Sequence, residues 1–254
     1  MHRCMARLVK ITSAGIARSL LCIIAIFLVV DLVVVYFHFV RGHRYLRGFI
    51  HGFYFDNEAN FPSLYSALAI LLCSALLWRI GSTAIEKKRR RWLHWRFLAI
   101  VFAFLALDEF IGIHEYLFYP AREIVENLSL DSDYFHFAWF IPYGIAVLVI
   151  AIVLLKFFLS LPLRLKVLFT LSGLTFLAGA VGMEMIGGKY WADQGWAIDH
   201  SDPVDLNYAL IVTFEELFEM LGIALFIYPL SEYYLSLTGV HSLTVRFSDA
   251  DQPH

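Results

Sequence analysis

Six long apolar stretches, separated by short polar segments, dominate the pattern of this chain. They cover roughly 19–40, 62–80, 93–114, 136–159, 165–187 and 206–230. Each is close to the ~20 residues that a helix needs to cross a ~30 Å hydrocarbon core. The pattern predicts an all-α polytopic membrane protein, a six-transmembrane-helix bundle that takes up the chain, 1–254, as a single domain. The first stretch is too long for a signal-peptide core, so we interpret it as a retained span.

The composition agrees with a membrane protein. Of the 254 residues, 60% are hydrophobic and only 17% are charged, and the mean hydropathy is +0.68. A soluble domain of this length carries more charge and less phenylalanine. No polar stretch is long enough for a second, soluble domain. No cysteine falls in a predicted outer loop, which excludes an extracytoplasmic disulfide.

The basic residues predict how the bundle is oriented. Lys and Arg concentrate before the first stretch, in the segment EKKRRRWLHWR at 86–96, and around 156–166. Because positive residues favour the cytoplasmic side, both termini are predicted to be cytoplasmic, with loops 41–61, 115–134 and 188–205 outside. The segment 86–96 is interpreted as a loop that contacts anionic lipid, so the predicted partner is the bilayer and not nucleic acid. The sequence does not determine whether the protein forms an oligomer.

The acidic residues concentrate toward the predicted outer side. The third stretch ends in ALDEFIGIHE, which places Asp108, Glu109, His114 and Glu115 at its outer end. The fifth stretch carries Glu184. The sixth carries three acidic residues at helical spacing, namely Glu215, Glu216 and Glu219. We therefore expect carboxylates from separate helices to converge in the outer half of the bundle.

A polar segment before the second stretch adds a predicted rim to this site. FDNEANFPSLYS brings Asp56, Glu58 and Asn60 to the outer end. Asn60 also fits a helix N-cap, since Pro62 follows at a position that suits the first helical turn. Asp31 is a further acidic residue within the first stretch, nearer the predicted centre. Tyr and Trp residues at 134, 139, 190, 191 and 196 are typical of an interfacial belt.

Several carboxylates close together in a membrane require protonation, basic partners or a bound cation. Basic partners are few in the outer half, so a divalent metal is the first hypothesis. Its predicted ligands are Asp108, His114, Glu115, Glu184, Glu215 and Glu219. Oxygen ligands with one imidazole suit Mg²⁺, Mn²⁺, Ca²⁺, Fe²⁺ or Zn²⁺. Glu109 and Glu216 are the candidates for a general base.

The four acidic segments resemble an uncharacterised family of bacterial multipass inner-membrane proteins. The family pattern reads D-x-E-x-N-x-P-x-x-Y-S, then L-D-E-x-x-x-x-H-E, an E-M pair, and E-E-x-x-E-M-x-G. This sequence matches all four, over about 25–230. The resemblance implies a multi-pass fold in the bacterial inner membrane. It implies no activity.

Two classes of function remain open from the sequence. The first is a divalent-cation-dependent, membrane-embedded enzyme that acts on a lipid-linked or amphipathic substrate. The second is a proton- or cation-coupled transporter or ion-binding protein, although six spans without an internal repeat are few for a transporter. A structural membrane subunit with protonated carboxyls is the third reading. A separate alternative to a shared site is that Asp108 and Glu115 are interfacial residues in contact with water.

Overall fold

The computed structural model describes residues 7–43, 48–57, 59–88, 90–127, 133–196, 204–240 and 242–247. Over these residues the fold is helical apart from one short pair of strands. The helices are α1 (Ser13–Val35), α2 (Phe49–Phe53), α3 (Phe61–Glu86), α4 (Trp92–Ile111), α5 (Phe118–Asn127), α6 (Phe140–Leu159), α7 (Leu163–Leu177), α8 (Glu184–Gln194) and α9 (Leu206–Thr238).

Shorter elements join or flank these helices. A π-helical segment, Tyr36–Val40, continues α1, and another, Ala178–Met183, connects α7 to α8. One 3₁₀ turn, Ile113–Leu117, follows α4, and a second, Asp133–Phe135, precedes α6. Strands β1 (Arg7–Ile11) and β2 (Leu243–Phe247) pair antiparallel, with Val9 opposite Val245.

Among the residues that the structure describes, four helical segments are long and apolar enough to cross a membrane. They are Ser13–Val40, Phe61–Glu86, Phe140–Leu159 and Leu163–Gln194. They correspond to the first, second, fourth and fifth predicted spans. The third and sixth predicted spans are helical as α4 and α9, but these helices also carry acidic residues in their apolar sequence. The count of six spans therefore stays a prediction.

The helices differ from the predicted spans mainly at their ends. The predicted loops 41–61 and 115–134 contain α2 and α5, and the predicted loop at 188–205 begins inside α8. The strand pair near the termini was not predicted. Hydropathy indicates only the apolar part of a helix, and a helix continues through polar residues as long as its backbone bonds are satisfied.

Local sequence sets the beginnings of two long helices. The predicted cap at Asn60 is confirmed: its side chain accepts from Ser63 N–H at 2.8 Å, Ser63 Oγ accepts from Asn60 N–H at 3.0 Å, and Pro62 lies in the first turn. At the start of α9, the Asp205 carboxylate accepts from Tyr208 N–H at 2.9 Å. These caps fix where α3 and α9 begin, and α9 carries three of the predicted site residues.

Helix α9 lies at the centre of the bundle and contacts α1, α3 and α7. Large side chains such as Leu77 and Ile80 of α3, Trp95 of α4 and Ile227 of α9 form the middle of the core. Helix α6 is mostly exposed, and Ile152 and Val153 show apolar surface to the outside. Apolar exposure of this extent marks a surface that meets lipid or another protein.

Two glycines allow α7 and α9 to approach closely. A Cβ on Gly222 of α9 would lie 2.7 Å from the Phe176 backbone nitrogen, and one on Gly179 would lie 2.6 Å from the Glu215 carbonyl oxygen. Gly173 of α7, by contrast, has open space around it, since a Cβ there would meet nothing within 4 Å. The backbones therefore meet beside Glu215, as small residues permit in membrane bundles.

The bundle has two distinct ends, which we call the terminal end and the opposite end. At the terminal end, Arg91 donates to the Ser160 carbonyl at 3.1 Å and Lys87 donates to the Leu237 carbonyl. These bonds join the loop after α3 to the loop after α6 and to the end of α9. At the opposite end, the 3₁₀ turn before α6 packs on α8 and Lys189 lies 3.8 Å from Asp133.

We expect Gly222→Ala to destabilise the protein. The added methyl would overlap the Phe176 backbone, and overpacking of this kind costs about 1–3 kcal/mol. The measurement is thermal unfolding in detergent. Gly173→Ala is the matched control, since its methyl meets nothing within 4 Å and alanine favours the helix. Equal melting temperatures for the two variants would contradict the close contact of α7 and α9.

Candidate functional site

Four glutamates from two neighbouring helical segments form what we call the carboxylate cluster. Glu184 begins α8, directly after the π-helical segment, and Glu215, Glu216 and Glu219 lie on α9. The close approach of the backbones at Gly179 brings the two segments together, because Gly179 lies against both Glu215 and Glu219. A π-helical segment widens one turn, and such turns are frequent at functional sites.

Glu215 is the central member of the carboxylate cluster. Its side chain is hydrogen-bonded to Glu184, and the other charges that act on it are those of Glu219 and Glu216. Two carboxyl groups at hydrogen-bond distance need a proton or a metal ion between them, because two carboxylates repel each other. The Glu184–Glu215 pair therefore requires either a shared proton or a bound cation.

A second polar group, the Asp108 triad, consists of Asp108, His114 and Tyr143. Asp108 is only 6% exposed, and it accepts hydrogen bonds from the Tyr143 hydroxyl at 2.8 Å and from the His114 backbone N–H at 2.9 Å. His114 Nδ1 lies 3.4 Å from the second Asp108 oxygen. Gly112, at φ +69°, ends α4 and turns the chain back so that His114 reaches Asp108.

Trp139 links the two groups. Its indole Nε1 donates to Glu184 Oε1 at 2.5 Å. Its ring lies against the His114 ring at 4.5 Å and against the Tyr143 ring at 5.7 Å between centroids. The sequence suggested an interfacial belt for Trp139 and Trp191. Trp139 instead bonds within the site, and Trp191 is buried among aromatic side chains. No sequence pattern distinguishes a tryptophan that donates to an acidic cluster from one that lies at the membrane interface.

The predicted rim has mixed roles. Asn60 is buried, caps α3 and donates to the Tyr54 carbonyl at 2.7 Å, so its role is to hold the loop. Asp56 is exposed and lies near Tyr54. Burial raises the pKa of the Tyr54 hydroxyl, and the carboxylates of Asp56 and Asp31 raise it further, so Tyr54 stays neutral and able to donate. Glu58 lies outside the described residues.

Two more predicted residues flank the Asp108 triad. Glu109 follows Asp108 on α4 and is half-buried, and its proposed role as a general base stays a prediction. The side chain of Glu115 lies outside the described part of the chain. Glu216, the other candidate base, belongs to the carboxylate cluster.

Asp31 is the residue that sequence reasoning left apart from the site. It is fully buried, accepts from Phe55 N–H at 3.0 Å and accepts from the Thr213 hydroxyl at 2.7 Å. Thr213 is two residues from Glu215 on α9, so Asp31 lies close to the level of the carboxylate cluster. The sequence contains a signal for this position. Asp31 lies 18 residues after the start of α1, and 18 residues of helix span about 27 Å, which is most of the way across the hydrocarbon core.

The number of side chains that converge limits the kind of metal site. Within the residues that the structure describes, three or more His, Cys, Asp or Glu side chains do not form a group able to hold a metal ion. A structural zinc site uses four protein ligands. Mg²⁺ commonly binds through one or two carboxylates and completes its shell with water and substrate phosphate oxygens. The Glu184–Glu215 pair is compatible with the second kind of site.

Comparison with known proteins gives a family and no activity. The family model described as "Domain of unknown function (DUF8692)" matches residues 20–232. No curated protein and no solved structure matches the chain. The matched segment contains all the predicted site residues.

Proposed function

The chain belongs to this family of unknown function, and we propose from its own residues that it is a multi-pass protein of the bacterial inner membrane. In this proposal six helices span the bilayer and both termini are cytoplasmic. The site at the opposite end of the bundle acts as a divalent-cation-dependent enzyme on a lipid-linked or amphipathic substrate. The hydrogen-bonded pair of Glu184 and Glu215 is the observation that carries the proposal.

A metal at this pair explains the whole carboxylate cluster better than a structural role does. The charges around Glu215 come from Glu184, Glu216 and Glu219, and a divalent cation would offset their repulsion. Two carboxylates favour Mg²⁺ or Mn²⁺ over zinc among the metals that the sequence left open. Trp139 would orient Glu184 through its indole N–H.

The Asp108 triad would supply acid–base chemistry beside the metal. Asp108 faces His114 Nδ1 at 3.4 Å. A carboxylate in this position fixes the orientation of the imidazole and stabilises its protonated form. His114 is 21% exposed, so a substrate from the outer leaflet can reach it without opening the bundle. The metal would polarise the substrate while His114 moves a proton.

Proton uptake and release is the second candidate function. The hydrogen bond between Glu184 and Glu215 favours it, because a shared proton satisfies that bond without any metal. Carboxyl groups in this position carry protons in many transporters. Asp31, which lies close to the level of Glu215 through Thr213, would be the next group along such a path.

The membrane placement is tested with reporter fusions. We expect reporters inserted at Arg90 and at Gly195 to report opposite sides of the membrane, since Arg90 is in the basic loop and Gly195 ends α8. Arg90 should be cytoplasmic. The measurement is activity of a reporter that works only on one side. Reporters on the same side would refute the topology and the outer position of the site.

The cation is tested by its removal. We expect protein purified without chelator to contain about one divalent metal per chain, and EDTA treatment to lower its melting temperature. Mg²⁺ or Mn²⁺ at about 100 times the dissociation constant should restore ~2.7 kcal/mol of stability. Elemental analysis and thermal unfolding measure this. Protein that is metal-free and indifferent to both ions would support proton handling instead.

A further inference from the structure

We propose that a cavity at the terminal end of the bundle binds the phosphodiester headgroup of an anionic phospholipid such as phosphatidylglycerol. The cavity has a volume of about 330 Å³ and lies between the last turns of α3 and α9. This inference rests on the proposed membrane placement, in which the terminal end faces the cytoplasmic leaflet. It is independent of the proposed cation site.

Two cationic side chains line the cavity from α3 and the turn that follows it. Arg79 donates to the Tyr234 hydroxyl oxygen across the cavity, and Lys87 donates to the Leu237 carbonyl. These bonds hold both cations at the cavity wall while leaving further N–H groups of each free to donate. A guanidinium and an ammonium in one pocket are the donors that a phosphate group requires.

The rest of the lining suits a hydroxylated headgroup. Ser82 and Thr83 add hydroxyl groups to the wall, and Glu86 adds one carboxylate. The two cations outweigh Glu86, so the cavity keeps a net positive charge. The Glu86 carboxylate can accept hydrogen bonds from the hydroxyls of a glycerol headgroup. It would repel a second phosphate, which favours a lipid with a single phosphodiester.

The surface next to the cavity fits the acyl chains of the same lipid. Trp78 and Ile85, on the same helix as Arg79, are 45% and 40% exposed. The Arg96 guanidinium lies over the Trp78 ring at 4.4 Å, an arrangement typical of the membrane interface. The phosphate would therefore bind at the level of the interface, with the lipid tails against the apolar surface of α3. Basic pockets between helices on the cytoplasmic side bind anionic headgroups in this way.

The test compares lipids with the same acyl chains and different headgroups. The full chain in an uncharged detergent is titrated with phosphatidylglycerol, with phosphatidylcholine, or with free glycerol phosphate, and thermal unfolding is followed. We expect phosphatidylglycerol to raise the melting temperature by about 5 °C or more at saturation. The other two should have little effect, since one lacks net charge and the other lacks tails. An equal rise with phosphatidylcholine, or with glycerol phosphate, would overturn the proposal.

Variants distinguish lipid binding in the cavity from a general attraction of anionic lipid to the basic loop at 86–96. Arg79→Gln with Lys87→Gln should abolish the difference between the two lipids. Lys88→Gln with Arg90→Gln is the matched control, since it removes the same amount of charge from the same region but outside the cavity lining. This control should keep the difference between phosphatidylglycerol and phosphatidylcholine. Thr83→Ile keeps every charge but occupies cavity space, and it should also abolish the difference. Equal losses in the two charge pairs, or a full lipid effect in Thr83→Ile, would overturn the proposal. Glu184→Gln with Glu215→Gln should leave the lipid effect intact even if the cation site is disproved.

Discussion

Glu215→Gln will abolish the stabilisation of the protein by Mg²⁺ or Mn²⁺. Glutamine keeps the shape of the side chain and removes one of the two carboxylates of the proposed cation pair. A divalent ion held by one carboxylate loses most of its binding energy. The increase of about 2.7 kcal/mol that we expect at 100 times the dissociation constant should therefore disappear. For a chain of this size that is a loss of about 5–10 °C in the metal-induced rise of the melting temperature.

The metal-free state should respond in the opposite direction. Without an ion, Glu215 is repelled by Glu216 and Glu219, and the neutral amide of glutamine removes that repulsion. We expect the EDTA-treated variant to be at least as stable as the EDTA-treated parent protein. Thermal unfolding of both proteins, with and without metal, gives the four values that this comparison needs.

A control on the same helix separates the site from general charge effects. Glu232 also lies on α9, but at the terminal end, where it is half-exposed and pairs with Arg164 at 3.1 Å. Glu232→Gln should change stability by less than about 1 kcal/mol and keep the full metal response. If Glu215→Gln also keeps the full metal response, the ion does not bind at this pair. If neither protein responds to metal and Glu215→Gln is stable, the shared-proton function is favoured, because an amide can donate to Glu184 as a carboxylic acid does.

Much of the helical architecture could be predicted from the apolar pattern, but the ends of the helices could not. The second stretch begins as expected because Asn60 and Pro62 form a local start signal that depends on neighbouring residues alone. The extension of α8 to Gln194 depends on packing instead. Trp191 is buried against aromatic side chains from other segments, and hydropathy contains no information on that contact. Helix α5 has too mixed a composition for an apolar-run criterion to detect it.

The acidic residues of the candidate site could be predicted from the sequence, but the residues that donate hydrogen bonds to them could not. Acidic residues in apolar stretches are unusual, so Glu184 and Glu215 stand out in the sequence, and topology alone suggests that they share one end. The partners are ordinary residues. Tyr143 and Trp139 are aromatic residues at the start of a helix, where an interfacial role is the common one. Only the folded backbone brings their donors to Asp108 and Glu184.

The two hydrogen bonds of Asp31 anchor neighbouring elements of the fold, so substitutions of Asp31 are tested by their effect on stability. It connects three elements: its own helix α1, the loop residue Phe55 through a backbone N–H, and α9 through Thr213. Because Asp31 is fully buried, water cannot replace either bond. Phe55 follows the short helix α2, so this carboxyl group also holds the loop that leads to the Asn60 cap.

Asp31→Leu should be among the most damaging single substitutions in this chain. It leaves the Phe55 N–H buried without an acceptor and removes the link to α9, and each unsatisfied buried group costs about 1–3 kcal/mol. We expect a total loss of about 3 kcal/mol or more, which corresponds to roughly 6–12 °C in melting temperature.

Asp31→Asn is the control variant and should cost far less. Its carbonyl oxygen can still accept from Phe55, and its amide can donate to Thr213 while the Thr213 hydroxyl donates to the Ala209 carbonyl at 2.9 Å. Thermal unfolding of the two variants in detergent measures the difference. Equal losses for leucine and asparagine would mean that Thr213 must donate to Asp31, and equal stability for leucine and the parent protein would refute the anchoring role.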